Sequence, residues 1–102
     1  MEEMIRNLGE MAIDEVYGAH NYAKLAYENK KHYPQMAEAV ANMAPQELGH
    51  AEMLIRSART MLDSHKDHAD YDKVNYLLGY FEEKVMDVSV ETKACLEKYK
   101  SI

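Results

Sequence analysis

Glu47 and His50 lie three residues apart in a stretch, residues 44–54, that otherwise has the composition of a packed helix. Residues three apart share one face of an α-helix. Carboxylate oxygens and imidazole nitrogens are donors that iron, manganese and zinc accept. The pair therefore predicts a metal site, provided that other parts of the chain supply further ligands.

A second carboxylate, Glu15, interrupts an apolar stripe in the first predicted helix. The stripe steps alternately by three and four residues, a spacing typical of a helix packed on other helices. Its members are Ile5, Leu8, Ala12, Glu15, Ala19, Tyr22 and Ala26. Because a buried carboxylate without a partner costs several kcal/mol, we expect Glu15 to be compensated by another group.

The second predicted helix carries a stripe with the same alternation, and both Glu47 and His50 belong to it. Its members are Met36, Val40, Met43, Glu47, His50, Leu54, Ser57 and Met61. Two lysines and Pro34 mark the turn between the helices. Glu15 and Glu47 are each sixteen residues from Lys31. At about 1.5 Å of rise per residue they lie at the same level of an antiparallel hairpin, and we expect them to face each other.

Pro45 and Gly49 are unusual residues for the interior of this helix. Proline removes a backbone hydrogen bond, and glycine costs about 1 kcal/mol relative to alanine. One interpretation is that a kink or a close backbone approach orients Glu47 and His50. The other is that the helix is simply bent.

A third helix is predicted from about Tyr71 to Lys98, with an almost wholly apolar stripe. Glu82 and Glu83 fall beside this stripe and are interpreted as solvated, and Cys95 is interpreted as a small core residue. The stripe consists of Val74, Leu78, Phe81, Val85, Val88, Thr92, Cys95 and Tyr99. The polar segment 63–70 before it has no apolar period and is predicted to be a solvated loop.

The composition predicts an all-α chain with a single domain over residues 1–102. Two prolines and four glycines among 102 residues favour helix, here over about 4–29, 35–64 and 71–98. A net charge of −6 argues against a nucleic-acid surface. The single cysteine and the lack of a signal peptide or a membrane-spanning run lead us to expect a cytoplasmic protein that binds no membrane.

Residues 13–26 and 47–54 together resemble the first two helices of rubrerythrin-type proteins of the ferritin-like superfamily. The first segment has Glu15 followed seven residues later by Tyr22, and the second has Glu47, His50 and Glu52. The Glu-x-x-His motif occurs once, whereas four-helix members of the family carry it twice. The chain is therefore more similar to the half-bundle encapsulated ferritins, although the residues after Tyr99 show no shell-targeting tail and an encapsulating shell is not predicted.

The resemblance implies a site and a reaction. Glu15 and Glu47 would chelate or bridge two iron ions per dimer, and His50 would be a terminal ligand. Tyr22 would contact the metal ligands without binding the metal itself. A homodimer or larger homo-oligomer would pair two hairpins into a ferritin-like four-helix bundle, because one chain supplies half of the usual ligand set. Ferroxidase-type oxidation of ferrous iron by dioxygen or peroxide is the implied activity.

Two alternatives stay open on the sequence alone. Glu15, Glu47 and His50 could form a hydrogen-bonded polar cluster that fixes the register of a non-catalytic dimerisation module. The site could also hold manganese, zinc or calcium in a structural role, because these ligands do not select iron strongly. With these alternatives open, the sequence alone does not decide whether the chain is an enzyme.

Overall fold

A computed structural model describes residues 1–102 as three long helices without strands. The helices are α1 (Glu2–Asn29), α2 (Pro34–Asp63) and α3 (Tyr71–Ser101). They form a rod of about 56 × 17 × 15 Å. The predicted all-α class is confirmed, and the predicted ends differ from the observed ends by up to three residues. No helix combines the length and apolar character needed to cross a membrane.

The helix ends follow local sequence chemistry. Pro34 stands at the start of α2, where its fixed φ angle suits the first helical turn and its missing N–H is no loss. α3 has Asp72 in its first turn and Lys98 and Lys100 in its last, which complements the helix dipole. α2 remains helical through Pro45.

Alanine dominates the interface between α1 and α2. The buried alanines of the two helices are Ala12, Ala19, Ala23 and Ala26 on α1, and Ala37, Ala41, Ala44, Ala51 and Ala58 on α2. Methyl side chains allow two helix backbones to approach closely. This close approach places groups on α1 within reach of groups on α2.

α3 covers one side of the α1–α2 pair with larger side chains. Val85 and Val88 pack in the central part of the core, and Leu78 and Leu96 pack towards its two ends. Gly9 on α1 lies directly against the Phe81 ring, so close that a Cβ at this position would overlap the ring. The apolar stripe predicted for α3 is buried except at Cys95 and Tyr99, which are half-buried.

The stripe predicted for α2 is not the buried one in this chain, and that prediction is wrong for the single subunit. The buried residues lie about one position later, at Ala37, Ala41, Ala44, Leu48, Ala51, Ala58 and Leu62. α3 packs on this alanine-rich side of the hairpin. The predicted stripe, with Glu47 and His50, consequently faces the side that α3 leaves open.

Glu82 is also placed differently from the prediction. Its carboxylate accepts two hydrogen bonds from Arg59, at 2.6 and 3.1 Å, and is not simply solvated. Arg59 also donates to Asn75 at 2.5 Å and contacts Asp63 at 3.4 Å. The Glu82 partner raises the pKa of Arg59. Glu83 is exposed, as predicted.

Replacing Arg59 with methionine is expected to destabilise the fold by about 1 kcal/mol, because bonds to charged groups are lost at a site only partly shielded from water. Chemical denaturation should show this as a lower midpoint. Arg56→Met is the matched control, since Arg56 is exposed on the same helix. Equal midpoints for the two variants would contradict a stabilising role for the Arg59–Glu82 pair.

Lys30, after α1, connects to the far end of the chain. Its ammonium donates to the carbonyl oxygens of Tyr99 and Ile102, both at 2.7 Å, and lies 4.6 Å from the centre of the Tyr99 ring. A cation at a helix C-terminus is favourable for the helix dipole. Lys30 therefore fastens the last turn of α3 to the α1–α2 turn.

Candidate metal centre

Glu15, Glu47 and His50 meet on the open side of the α1–α2 pair. Each offers one ligand atom, and these atoms lie within 4.8 Å of one another. His50 Nδ1 is 3.5 Å from Glu15 Oε2 and 3.6 Å from Glu47 Oε1. The structure thus brings together the three residues that counting along the hairpin placed at one level, while their roles as ligands stay predictions.

The two carboxylates influence each other. Glu15 raises the pKa of Glu47, because a nearby carboxylate favours the form of Glu47 that can share a proton with it. Partial burial and the negative charge of Glu15 add to the rise, and His50 opposes it. A cation between the carboxylates would relieve this repulsion.

One oxygen of the site lacks a hydrogen-bond partner. Glu15 Oε2 is shielded from solvent and accepts no hydrogen bond, although the Glu15 side chain as a whole is 32% exposed. Buried acceptors in folded proteins normally have a partner. Two carboxylates, one of which has an unpartnered oxygen, and an imidazole lie within 4.8 Å of one another, and they fit a cation with a preference for oxygen and nitrogen ligands.

The site is not enclosed by its own chain. The side chains of Glu47 and His50 are 27% and 57% exposed. Their expected location inside the hairpin is therefore wrong for a single subunit, because α3 covers the opposite side. A closed site needs a further element over this face.

Apolar side chains surround the site on this open face. They lie four, seven, ten, eleven or fourteen residues from Glu15 or Glu47, spacings that return to the same face of an α-helix. We call this surface the methionine face; it consists of Met4, Leu8, Met11, Tyr22, Leu25, Met36, Val40, Met43, Leu54 and Met61. Half of these residues are exposed and half are partly buried.

Gly18, a residue that no sequence motif marked as part of the site, borders the site directly. A Cβ on Gly18 would lie 3.5 Å from Glu47 Oε2. Gly49, the glycine suggested as a close-approach position, has nothing within 4 Å of such a Cβ, so that suggestion is wrong. The available signal was the spacing: Gly18 follows Glu15 by three residues and shares its face.

The remaining candidate residues lie outside the group of Glu15, Glu47 and His50. Tyr22 packs beside the cluster of Ala23, Ala26 and Leu96, and its proposed contact around the ligands stays a prediction. His65 contacts the Met61 carbonyl in the exposed 63–70 segment, at 2.8 Å. Burial raises the pKa of the Cys95 thiol, which agrees with a packing role.

Three long helices that bring two glutamates and a histidine to one level define a helical protein with a carboxylate–imidazole centre suited to metal ions. The rubrerythrin family model matches residues 6–101, nearly the whole chain. The chain belongs to the rubrerythrin family, a family of the ferritin-like superfamily. No curated protein and no solved structure matches it.

Proposed function

We propose that this chain is a di-iron carboxylate protein that oxidises ferrous iron at a site completed by a second copy of itself. The observation that carries the proposal is the meeting of Glu15, Glu47 and His50 within 4.8 Å on an uncovered face, with Glu15 Oε2 unpartnered. Membership of the rubrerythrin family supports iron as the metal. Manganese and zinc are the alternatives to be tested.

The ligand count supports a shared site. Ferritin-like di-iron sites use four carboxylates and two histidines. This chain brings together two carboxylates and one histidine, which is half of that set. A two-fold axis over the open face would supply the other half from an identical surface.

The methionine face supports a second copy as the cover. Five of its ten side chains are exposed in the single chain, namely Met4, Met11, Leu25, Met36 and Met43. Contiguous exposed apolar surface is a mark of an interaction site. Because the face surrounds the half-site, the partner that buries it would also close the metal centre.

The protein's own groups would prepare the site for cations. Glu15 raises the pKa of Glu47, so that Glu47 holds a proton more tightly than it would alone, and a cation would displace that proton. His50 would bind through a ring nitrogen while neutral. Bound ferrous ions would supply electrons to dioxygen or peroxide. The free Cys95 suits a reducing compartment, and we propose a cytoplasmic location.

Iron oxidation tests the activity directly. Ferrous iron is added to the aerobic protein, and the absorbance of ferric species is followed against buffer alone. Faster oxidation with protein supports the proposal. Binding without accelerated oxidation would indicate a structural metal site. The absence of both binding and oxidation would indicate a helical dimerisation module.

The shared site is tested by breaking the pairing without touching a ligand. Met43→Lys places a charge on the methionine face, one turn from Glu47, and is expected to give a monomer that binds ferrous iron at least about tenfold more weakly. Met86→Lys is the matched control, because Met86 is 65% exposed on α3, which covers the opposite side of the hairpin. Mass in solution and iron binding are measured for both. A monomeric Met43→Lys protein with unchanged binding would contradict the shared site.

A further inference from the structure

The two oxygens of Glu47 have different surroundings. Oε1 lies 3.6 Å from His50 Nδ1, within the group of three ligands. Oε2 faces α1 at Gly18, where an added Cβ would lie 3.5 Å from it. One oxygen therefore lies beside His50, and the other lies beside the position that a side chain at residue 18 would occupy.

The distance between Oε2 of Glu47 and a Cβ at residue 18 decides whether a cation could bind to Oε2 from this side. A metal ion lies about 2.1 Å from a carboxylate oxygen. A Cβ on residue 18 would stand 3.5 Å from Oε2, so an ion bound on that line would be left with roughly 1.4 Å to the carbon. A methyl group at this position would leave the Glu47 carboxylate in its present place. It would still prevent an ion from reaching Oε2 from the side of α1.

We propose that Gly18 is a positioning residue that keeps Oε2 of Glu47 open to a second cation, so that Glu47 bridges two ions. This inference rests on the proposed function, since it assumes that the site takes a pair of ions. It assigns a reason for a glycine in the interior of α1, where alanine would favour the helix by about 1 kcal/mol. Gly18 acts through Glu47 and is not itself a ligand.

The test uses Mn²⁺ alone, titrated into wild type and Gly18→Ala, with uptake and electron paramagnetic resonance recorded together. Wild type is expected to take up two ions per pair of chains and to show the spectrum of coupled ions. Gly18→Ala is expected to bind the second ion about tenfold more weakly or worse, and to show isolated ions. Alanine favours helix, so this variant is expected to fold and pair normally.

Gly49→Ala separates this effect from a general effect of glycine replacement. It adds the same methyl group to a helix beside the site, where nothing lies within 4 Å, and should match wild type in uptake and spectrum. A coupled pair in Gly18→Ala, equal to wild type, would overturn the role of Gly18 alone. Wild type that binds no pair of ions would overturn the proposed function together with this inference.

Discussion

Replacing Glu47 with glutamine is expected to weaken metal binding by roughly 100-fold or more, since the proposed site would lose a charged ligand while the shape of the side chain is kept. Isothermal titration with ferrous iron under anaerobic conditions measures the loss. Glu52→Gln is the matched control, because Glu52 is an exposed glutamate on the same helix. If the Glu47→Gln variant binds ferrous iron with a dissociation constant within about threefold of that of the control, Glu47 is not a metal ligand.

The same substitution should stabilise the metal-free protein. Glu15 raises the pKa of Glu47 in the folded state above its ordinary value of 4.5. Between the ordinary pKa of 4.5 and the raised pKa of Glu47 in the folded chain, the folded chain holds more protons than the unfolded chain. The stability of the wild type therefore falls as the pH rises through this window. A glutamine at position 47 does not titrate. The melting temperature of the Glu47→Gln variant should therefore exceed that of the metal-free wild type at pH values above this window. The difference should close below pH 4.5.

Gly9→Ala is expected to destabilise the fold by about 2–3 kcal/mol, because the added methyl group overlaps the ring of Phe81 and the core must shift. For a chain of this size the melting temperature should fall by roughly 10 °C or more. Thermal unfolding followed by circular dichroism measures it. Gly79→Ala is the control: nothing lies within 4 Å of its new methyl group, and it should be neutral or stabilising.

A double-mutant cycle identifies the cause of the Gly9 effect. In a Phe81→Leu background the ring is gone, so Gly9→Ala should cost at least about 1 kcal/mol less than it does in wild type. Additive effects would show that the alanine acts on helix α1 itself and not through its contact with Phe81.

The meeting of Glu15, Glu47 and His50 was predictable because it depends only on geometry that every α-helix shares. Rise per residue and the position of the turn fix which residues of two antiparallel helices lie at one level. The same regularity explains why the ends of all three helices were predicted to within three residues.

The buried side of α2 was not predictable in the same way. This helix carries two stripes of three-and-four spacing about 100° apart, one rich in alanine and one that contains Met43, Glu47 and His50. The larger side chains of the second stripe suggested the core. The position of α3 decides between them, and that depends on contacts such as Gly9 with Phe81 that no periodicity reveals.

The Arg59–Glu82 pair and the role of Gly18 were missed for a related reason. Arg59 and Glu82 are far apart in sequence and meet only because α2 and α3 pack beside each other. Gly18 has no side chain to enter a pattern of hydrophobicity, and its place beside Glu47 becomes evident only when both helices are present.

The alanine-rich contact between α1 and α2 has a consequence for how rigidly the ligands are held. Alanine has no side-chain rotamers, so the nine buried alanines lose no side-chain conformational entropy when the two helices pack. The separation of the two backbones, and with it the spacing of the groups carried by α1 and α2, is therefore set once on folding. Under the proposed function, a metal ion would find the backbone positions of its donors already set, so that only the donor side chains would be ordered when it binds.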